Sequence, residues 1–193
     1  KLDQPELTDK TIKLFISTLK EYSEKINIIS KGITGEQLNA LIEETILLEK
    51  HISENTIVDA GSGNGILGIP IAILNPDKKV FLIEPRKKKS EFLSYTIKKL
   101  DLKNTEVIRS GIEEFLKGRK KRKFTMIARG FPDNIKLTIY VKKKIVKELL
   151  LITSLAKIKK MTKGIEKLRQ NIYNVPFRDN LKIIHIANVS RET

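Results

Sequence analysis

Three glycines and two carboxylates in the first half of the chain have the spacing of a site that could hold a small ligand. Asp59 precedes Gly61, Gly63 and Gly65, and Glu84 follows nineteen residues after the last of these glycines. Glycines at a strand-to-helix turn tolerate positive φ and let the backbone come close to a ligand. A carboxylate at the end of the next strand can accept hydrogen bonds from both hydroxyls of a ribose. The pattern therefore predicts a ribose-containing ligand at this turn.

The spacing of the glycines distinguishes between two classes of ligand that such a turn could bind. The dinucleotide fingerprint G-x-G-x-x-G would place its third glycine at position 66, and that residue is Ile66. The string that begins at Asp59 instead resembles motif I of class I methyltransferases, D-x-G-x-G-x-G, in which the loop cradles the methionine part of the cofactor. We therefore expect S-adenosylmethionine rather than a nicotinamide dinucleotide. A turn that binds no ligand is the remaining alternative.

The residue types that the chain lacks narrow the chemistry of a methyl transfer. The sequence has no cysteine, which excludes a thiolate that activates cytosine, disulfides and cysteine-bound zinc. The Asn/Asp-Pro-Pro-aromatic motif of exocyclic-amine methyltransferases is missing from residues 128–131, which read Ala-Arg-Gly-Phe. A ring nitrogen such as N7 of guanine has a free lone pair, so its methylation needs only positioning and electrostatic support. The composition is therefore compatible with a ring-nitrogen methyltransferase.

Strands that alternate with helices from residue 56 onwards predict the architecture that positions the glycine loop. Short apolar strands are predicted at residues 56–60, 80–83, 105–108 and 124–128, with helices at 66–74, 86–100 and 112–116. We expect an α/β fold in which a Rossmann-like parallel sheet carries helices on both faces. The ligand site of such a sheet lies at the carboxyl ends of its strands.

Further elements are expected on both sides of this alternating region. Residues 1–52 have apolar side chains at helical spacing, with Thr8 as a cap, and are predicted to form an N-terminal helical cap. Residues 53–193 are then the cofactor-binding domain. In its last part we predict a helix at 141–153, a strand at 156–162 and a helix at 165–171. Strands at 173–177 and 181–189 would finish the sheet as a hairpin.

The charge of the chain favours a polyanionic partner. Thirty-eight Lys and Arg residues against 23 Asp and Glu give a formal net charge of +15. Nucleic acid is the expected partner because phosphate neutralisation releases condensed counterions, although a lysine-rich background composition is an alternative. No apolar run approaches the roughly 20 residues of a membrane span, and no signal-peptide core follows the first residue. We therefore expect a soluble, cytoplasmic monomer that does not associate with a membrane. Because the chain has only two histidines, we also expect no metal site.

Six segments carry a family resemblance. With the family's pattern in parentheses, they are residues 22–30 (W-N-x-x-x-N-L-T/I-S), 59–70 (D-x-G-S/T-G-x-G-x-P-G-I-P), 86–93 (K-K/R-x-x-F-L), 111–114 (R-x-E-E/D), 128–131 (S-R-A-hydrophobic) and 163–164 (K-G). The Gly68-Ile69-Pro70 tail is more specific than the glycines before it. Together these segments resemble the RsmG, or GidB, methyltransferases of small-subunit ribosomal RNA.

The resemblance implies an activity and a set of site residues. The activity would be N7 methylation of a guanine in the decoding region of 16S rRNA, with ribosomal RNA or the small ribosomal subunit as partner. Arg129 and Lys163 would be catalytic. The cofactor-binding residues would be Asp59, Gly61, Ser62, Gly63, Gly65, Leu67, Glu84, Ile112, Glu113 and Arg129. The RNA-binding residues would be Asn27, Arg86, Lys87, Lys88 and Lys163.

The chain also departs from this family. Its second predicted helix has Glu-Glu-Thr-Ile-Leu-Leu at residues 43–48, where the family often has R-H-x-x-D-S/C. The proline of the family's glycine loop is Leu67, and the arginine before the acidic pair is Gly111. Two hypotheses therefore stay open: an active rRNA methyltransferase, and a non-catalytic RNA-binding or ribosome-assembly protein on the same scaffold. Affinity for the cofactor separates them.

Overall fold

The computed structural model describes residues 4–25, 28–29, 32–117, 123–162, 165–176 and 178–188 of the chain. Within these ranges the elements are, in chain order, α1 (Gln4–Lys25), α2 (Gly35–Glu49), β1 (Thr56–Ala60), α3 (Gly68–Leu74), β2 (Lys79–Ile83), α4 (Lys87–Lys99), β3 (Thr105–Ile108), α5 (Ile112–Leu116), β4 (Thr125–Arg129), α6 (Asn134–Lys142), β5 (Glu148–Ser154), α7 (Leu155–Met161), β6 (Arg169–Asn174) and β7 (Leu181–Ala187).

The strands form one sheet in the order β3-β2-β1-β4-β5-β7-β6. Strands β1 to β5 run parallel, whereas β7 pairs antiparallel with both β5 and β6. The chain moves outward from β1 through β2 to β3, and then returns to the other side of β1 for β4. The point where the order reverses therefore lies between β1 and β4, where open α/β sheets bind their ligands.

Consecutive strand residues pack into two apolar clusters on opposite faces of the sheet. Ile57 joins the cluster that includes side chains of α1 to α4, and Val58 joins the cluster that includes side chains of α5 to α7. This separation follows from the two-residue repeat of a strand. The expected α/β class, with helices on both faces, is confirmed.

The N-terminal helices share the core of the sheet. Phe15 of α1 and Leu38 of α2 are fully buried in the same cluster as α3 and α4. Helix α1 begins at Gln4, so Thr8 lies inside the helix and the prediction that it caps the helix is wrong. Helix α2 does begin with a capping box, in which Thr34 and Gln37 bond each other's backbone. The division of the chain at residue 52 stays a prediction.

The predictions for residues 141–171 were wrong. The final antiparallel hairpin is confirmed, but its first strand lies at Arg169–Asn174 and not at 173–177, and its second ends at Ala187. The predicted helix at 141–153 is the end of α6 followed by β5, and Lys144, with φ of 56°, lies between them. Strand β5 pairs with β4 and β7 and is buried on both faces, so its apolar run shows no alternation. The predicted strand at 156–162 is α7, whose first turn is capped by the Ser154 hydroxyl. The predicted helix at 165–171 gives way to the polar edge strand β6.

Candidate active site

The glycine loop connects β1 to α3, and three of its residues have a left-handed backbone conformation. Gly61, Gly63 and Gly65 have φ of 74°, 58° and 76°, a region that L side chains enter at a cost. The backbone N–H groups of Gly61 and Ser62 donate to the carbonyl of Ile83 at 2.9 and 3.0 Å, which ties the loop to the end of β2. A Cβ on Gly65 would lie 2.5 Å from Cδ1 of Ile69. The predicted motif is thus built from backbone geometry and close packing.

Asp59 stabilises this loop through hydrogen bonds to both of its ends. Its Oδ2 accepts the backbone N–H of Gly68 at 3.1 Å, and its carbonyl accepts the hydroxyl of Ser62 at 3.0 Å. A Cβ on Gly68 would lie 2.3 Å from Leu82 and 2.7 Å from the Asp59 carboxylate, which explains the glycine at the start of α3. Burial raises the pKa of Asp59 to about 7, and the nearby Glu84 charge adds to the rise.

Glu84, directly after β2, is a fully buried carboxylate that faces the loop. Its Oε2 accepts the N–H of Gly63 at 2.9 Å, and its Oε1 accepts the N–H and the Nε of Arg86 at 3.0 and 2.9 Å. Burial alone would raise the pKa of Glu84, but the hydrogen bonds from Arg86 and Gly63 outweigh burial and lower it. Glu84 is therefore an anion at neutral pH.

Arg129 ends β4, across the switch point from the glycine loop. Its Nε and Nη2 donate to Oε2 of Glu44 in α2, at 3.1 and 3.0 Å. Glu44 also lies 3.2 Å from Nε of Arg178, through its Oε1. The helical cap therefore contributes Glu44, the acidic partner of the predicted catalytic Arg129. The sequence alone did not indicate this role for Glu44.

A cavity of about 240 Å³ opens where these elements meet, at the carboxyl ends of β1 and β4. Seven of the predicted site residues line it: Asp59, Gly61, Ser62, Gly63, Leu67, Arg86 and Arg129. The wall is completed by Lys89, from the basic segment 86–93, and by five residues that were not predicted: Ile28, Leu41, Asn64, Ile66 and Gly130. Arg86 directly precedes α4 and Lys89 lies three residues later in its first turn, and this helical spacing brings both side chains to the cavity. Burial lowers the pKa of Lys89, and the charge of Arg86 lowers it further.

The other predicted site residues lie away from this wall. Gly65 and Glu84 stabilise the glycine loop without lining the cavity: Gly65 packs closely against Ile69, and Glu84 accepts the N–H of Gly63. Ile112 is buried at the start of α5, and Glu113 beside it forms an ion pair with Lys136 of α6. Lys87 and Lys88 point to solvent from the first turn of α4. Asn27 and Lys163 lie outside the described residues.

The described ranges contain neither a metal-binding cluster nor a helix that could span a membrane. No group of three or more His, Asp or Glu side chains in those ranges could hold a metal ion. No helix in the same part of the chain has the length and apolar character needed to cross a bilayer.

The chain matches a known protein family over most of its length. The model of the GidB family, described as rRNA small subunit methyltransferase G, matches residues 8–178. A curated relative from Histophilus somni (strain 2336), ribosomal RNA small subunit methyltransferase G, is 34% identical over 97 residues, which are 50% of this chain and 46% of the relative. The chain thus spans about half the length of the curated relatives it matches.

Solved structures share the fold at low sequence identity. A SAM dependent methyltransferase from Aquifex aeolicus has a TM-score of 0.59 and 15% identity, and the match covers 98% of this chain and 100% of that one. TrmK from M. capricolum, in complex with S-adenosyl-homocysteine, has a TM-score of 0.58 and 16% identity, with coverage of 75% and 67%. The expected class I methyltransferase fold is confirmed.

Proposed function

Since the chain belongs to the GidB family, rRNA small subunit methyltransferase G, we propose that it transfers a methyl group from S-adenosylmethionine to N7 of a guanine in the decoding region of 16S rRNA. The observation that carries this proposal is the cavity at the switch point, which joins the glycine loop to Arg86 and Arg129. A small cofactor fits the loop side of such a cavity. The cations beside it suit a phosphate-rich substrate.

The residues at the cavity fit S-adenosylmethionine. Gly61 and Gly63 present backbone in the left-handed region, and a Cβ on Gly61 would already touch the ring of Phe131, at 3.3 Å. The ionised Glu84 has lone pairs left for ribose hydroxyls, and the Arg86 side chain that bonds to it is 65% exposed. Asp59 would act indirectly, because its carboxylate braces the loop. The adenine roles of Ile112 and Glu113 remain predictions.

Methylation at N7 requires these residues to orient the two reactants and does not require them to transfer a proton. Held by Gly61, Gly63 and Glu84, the cofactor would supply an electrophilic methyl group on a sulfonium, which the N7 lone pair could accept while the sulfur leaves as a neutral thioether and the positive charge moves to the purine. Guanine N7 carries no proton, so the site needs no general base. Arg129, in the cavity wall, would orient the base and the cofactor. The same role for Lys163 rests on the resemblance alone.

The RNA would approach along the amino-terminal turn of α4. Lys87 and Lys88 are exposed there, next to Arg86 and Lys89 at the cavity. This arrangement lets the phosphate backbone contact lysines while the target base enters the cavity. A cytoplasmic monomer that acts on ribosomal RNA or the small ribosomal subunit is the form of the protein we propose, with Asn27 as a further RNA contact.

Methyl transfer to ribosomal subunits tests the proposal directly. Small subunits that lack the N7 modification are incubated with labelled S-adenosylmethionine, and the product is mapped by strand cleavage at N7-methylated guanine. We expect one labelled guanine in the decoding region, and strongly reduced labelling with Arg129→Ala but not with Arg169→Ala, an exposed arginine of the edge strand. A folded protein that binds the subunits but transfers no label would be the non-catalytic RNA-binding protein.

A further inference from the structure

Glu44 is a buried carboxylate that connects the helical cap to the cavity. Its side chain is 3% exposed, and its Oε2 receives two hydrogen bonds from the guanidinium of Arg129. Arg178, in the connection between β6 and β7, forms an ion pair with Oε1 from another direction. Three separate parts of the chain therefore meet at one carboxylate: α2, the end of β4 and the β6–β7 connection.

The charges at this junction matter for the kind of ligand that the cavity can accept. Arg86, Lys89 and Arg129 all line the cavity, so a cationic ligand would be repelled unless these charges are compensated. Glu84 compensates Arg86 through its hydrogen bonds. Glu44 is the carboxylate that is placed to do the same for Arg129. A buried ion of either sign is costly without its partner, so the pair also fixes the position of the guanidinium.

We propose that Glu44 is a positioning residue that holds Arg129 against the cap and neutralises it, so that a sulfonium cation can bind in the same cavity. The proposal rests on the proposed function in one respect, which is that the cofactor carries a sulfonium. Removal of the Glu44 charge would leave two guanidiniums with no carboxylate between them. The added repulsion would act on a cationic ligand and leave a neutral ligand of the same shape nearly unaffected.

Calorimetry with two cofactor forms measures this charge effect without any turnover. S-adenosylmethionine carries the sulfonium, and S-adenosylhomocysteine has an uncharged sulfur in an otherwise matching molecule. In Glu44→Gln we expect the Kd of S-adenosylmethionine to rise about tenfold, with a much smaller change for S-adenosylhomocysteine. Glu43→Gln is the matched control, because it removes an exposed carboxylate from the neighbouring position of α2 and should change neither affinity.

A charge cycle separates compensation from shape. Arg129→Gln alone removes a positive charge and should shift the ratio of the two Kd values in favour of S-adenosylmethionine. The double variant Glu44→Gln/Arg129→Gln removes one charge of each sign, so the ratio should return to the wild-type value. Equal weakening of the two ligands by Glu44→Gln would overturn the proposal. If Glu44→Gln does not fold, an unchanged ratio in Arg129→Gln would overturn it instead. Wild-type protein that binds neither ligand would refute the proposed function itself.

Discussion

At the scale of single residues, Glu148 shows how a buried carboxylate serves the fold rather than the reaction. It begins β5, at the end of the sheet opposite the cavity, and is 3% exposed. Its carboxylate accepts the hydroxyl of Thr125, lies 2.9 Å from Nε2 of His185, and accepts the backbone N–H of Ser53 at 2.9 Å. Burial alone would raise the pKa of Glu148, but these hydrogen bonds outweigh it and lower the pKa to about 2.

The lowered pKa of Glu148 predicts how stability depends on pH. A carboxyl whose pKa falls on folding stabilises the native state above its unfolded pKa, and the contribution disappears as the pH drops through the folded value. Glu148→Gln should therefore lower the free energy of unfolding by about 2–3 kcal/mol at pH 7, with a difference that shrinks between pH 4.5 and pH 2. Urea titrations at several pH values measure this. Glu106→Gln, on an exposed strand position, should show no such convergence, and a difference for Glu148→Gln that stays constant down to pH 2 would contradict the assignment.

The residues of the site were predictable to the extent that their signal is local in the sequence. Asp59 lies in a strand that the apolar pattern reveals, and the glycines and Glu84 follow such strands, so their meeting at one sheet edge could be expected. Glu44 is 85 residues from Arg129 along the chain, and no local pattern connects the two. Leu41 lines the cavity because α2 packs on the sheet, which is a tertiary contact that periodicity does not reveal.

At the scale of elements, α4 carries charges that oppose its own stability. Its first turn has lysines and no acidic residue, whereas its last turn contains Lys98 and Lys99. Cations suit the carboxyl end of a helix and are unfavourable at the amino end, by about 0.3–1 kcal/mol each. Lysines at the amino end next to the cavity therefore favour a role in binding, because the helix alone would be more stable without them.

This asymmetry gives a crossed prediction for two double variants of α4. Lys87→Gln/Lys88→Gln should leave stability equal or slightly higher, and should reduce the slope of log affinity against log salt for small subunits by about 1–2. Lys98→Gln/Lys99→Gln removes the same charge from the other end of the helix, and should lower stability by a few tenths of a kcal/mol without changing the slope. Filter binding over a salt series, with thermal unfolding alongside, measures both. Equal slopes for the two variants would place the RNA elsewhere on the protein.

Elements were predicted correctly up to β4, and the predictions fail after it, although β4 and β5 are still followed by the helices α6 and α7. The residues of β5 form a continuous apolar run that helix and strand can share, so periodicity did not decide between them. The strand assignment comes from pairing with β4 and β7, which only the folded sheet supplies. Strand β6 lies at the sheet edge with a polar sequence, and its pairing with β7 again overrides the local pattern.

At the scale of the whole molecule, the cap and the sheet are expected to unfold together. Phe15 and Leu19 of α1 are fully buried in the cluster that includes α3 and α4, and Tyr22 packs 5.0 Å from the rings of both Phe92 and Tyr95. The hydroxyl of Thr45 in α2 donates to the carbonyl of Ile66, at 3.0 Å. Apolar contact, aromatic contact and hydrogen bonding therefore connect residues on both sides of position 52.

Substitution in the cap tests whether this coupling makes one cooperative unit. Phe15→Ala should lower the free energy of unfolding by about 3–5 kcal/mol, whereas Leu14→Ala, at a neighbouring position that is 40% exposed, should change it little. Near-UV circular dichroism reports the four tyrosines of the chain, two of which lie at the α1–α4 contact, and far-UV circular dichroism reports the helices and strands of the whole chain. Because the cap and the sheet share one core, both signals should shift to lower urea together in Phe15→Ala. Loss of the near-UV signal well before the far-UV signal would instead mean that residues 53–193 fold without the cap, and cofactor binding would then survive the first transition.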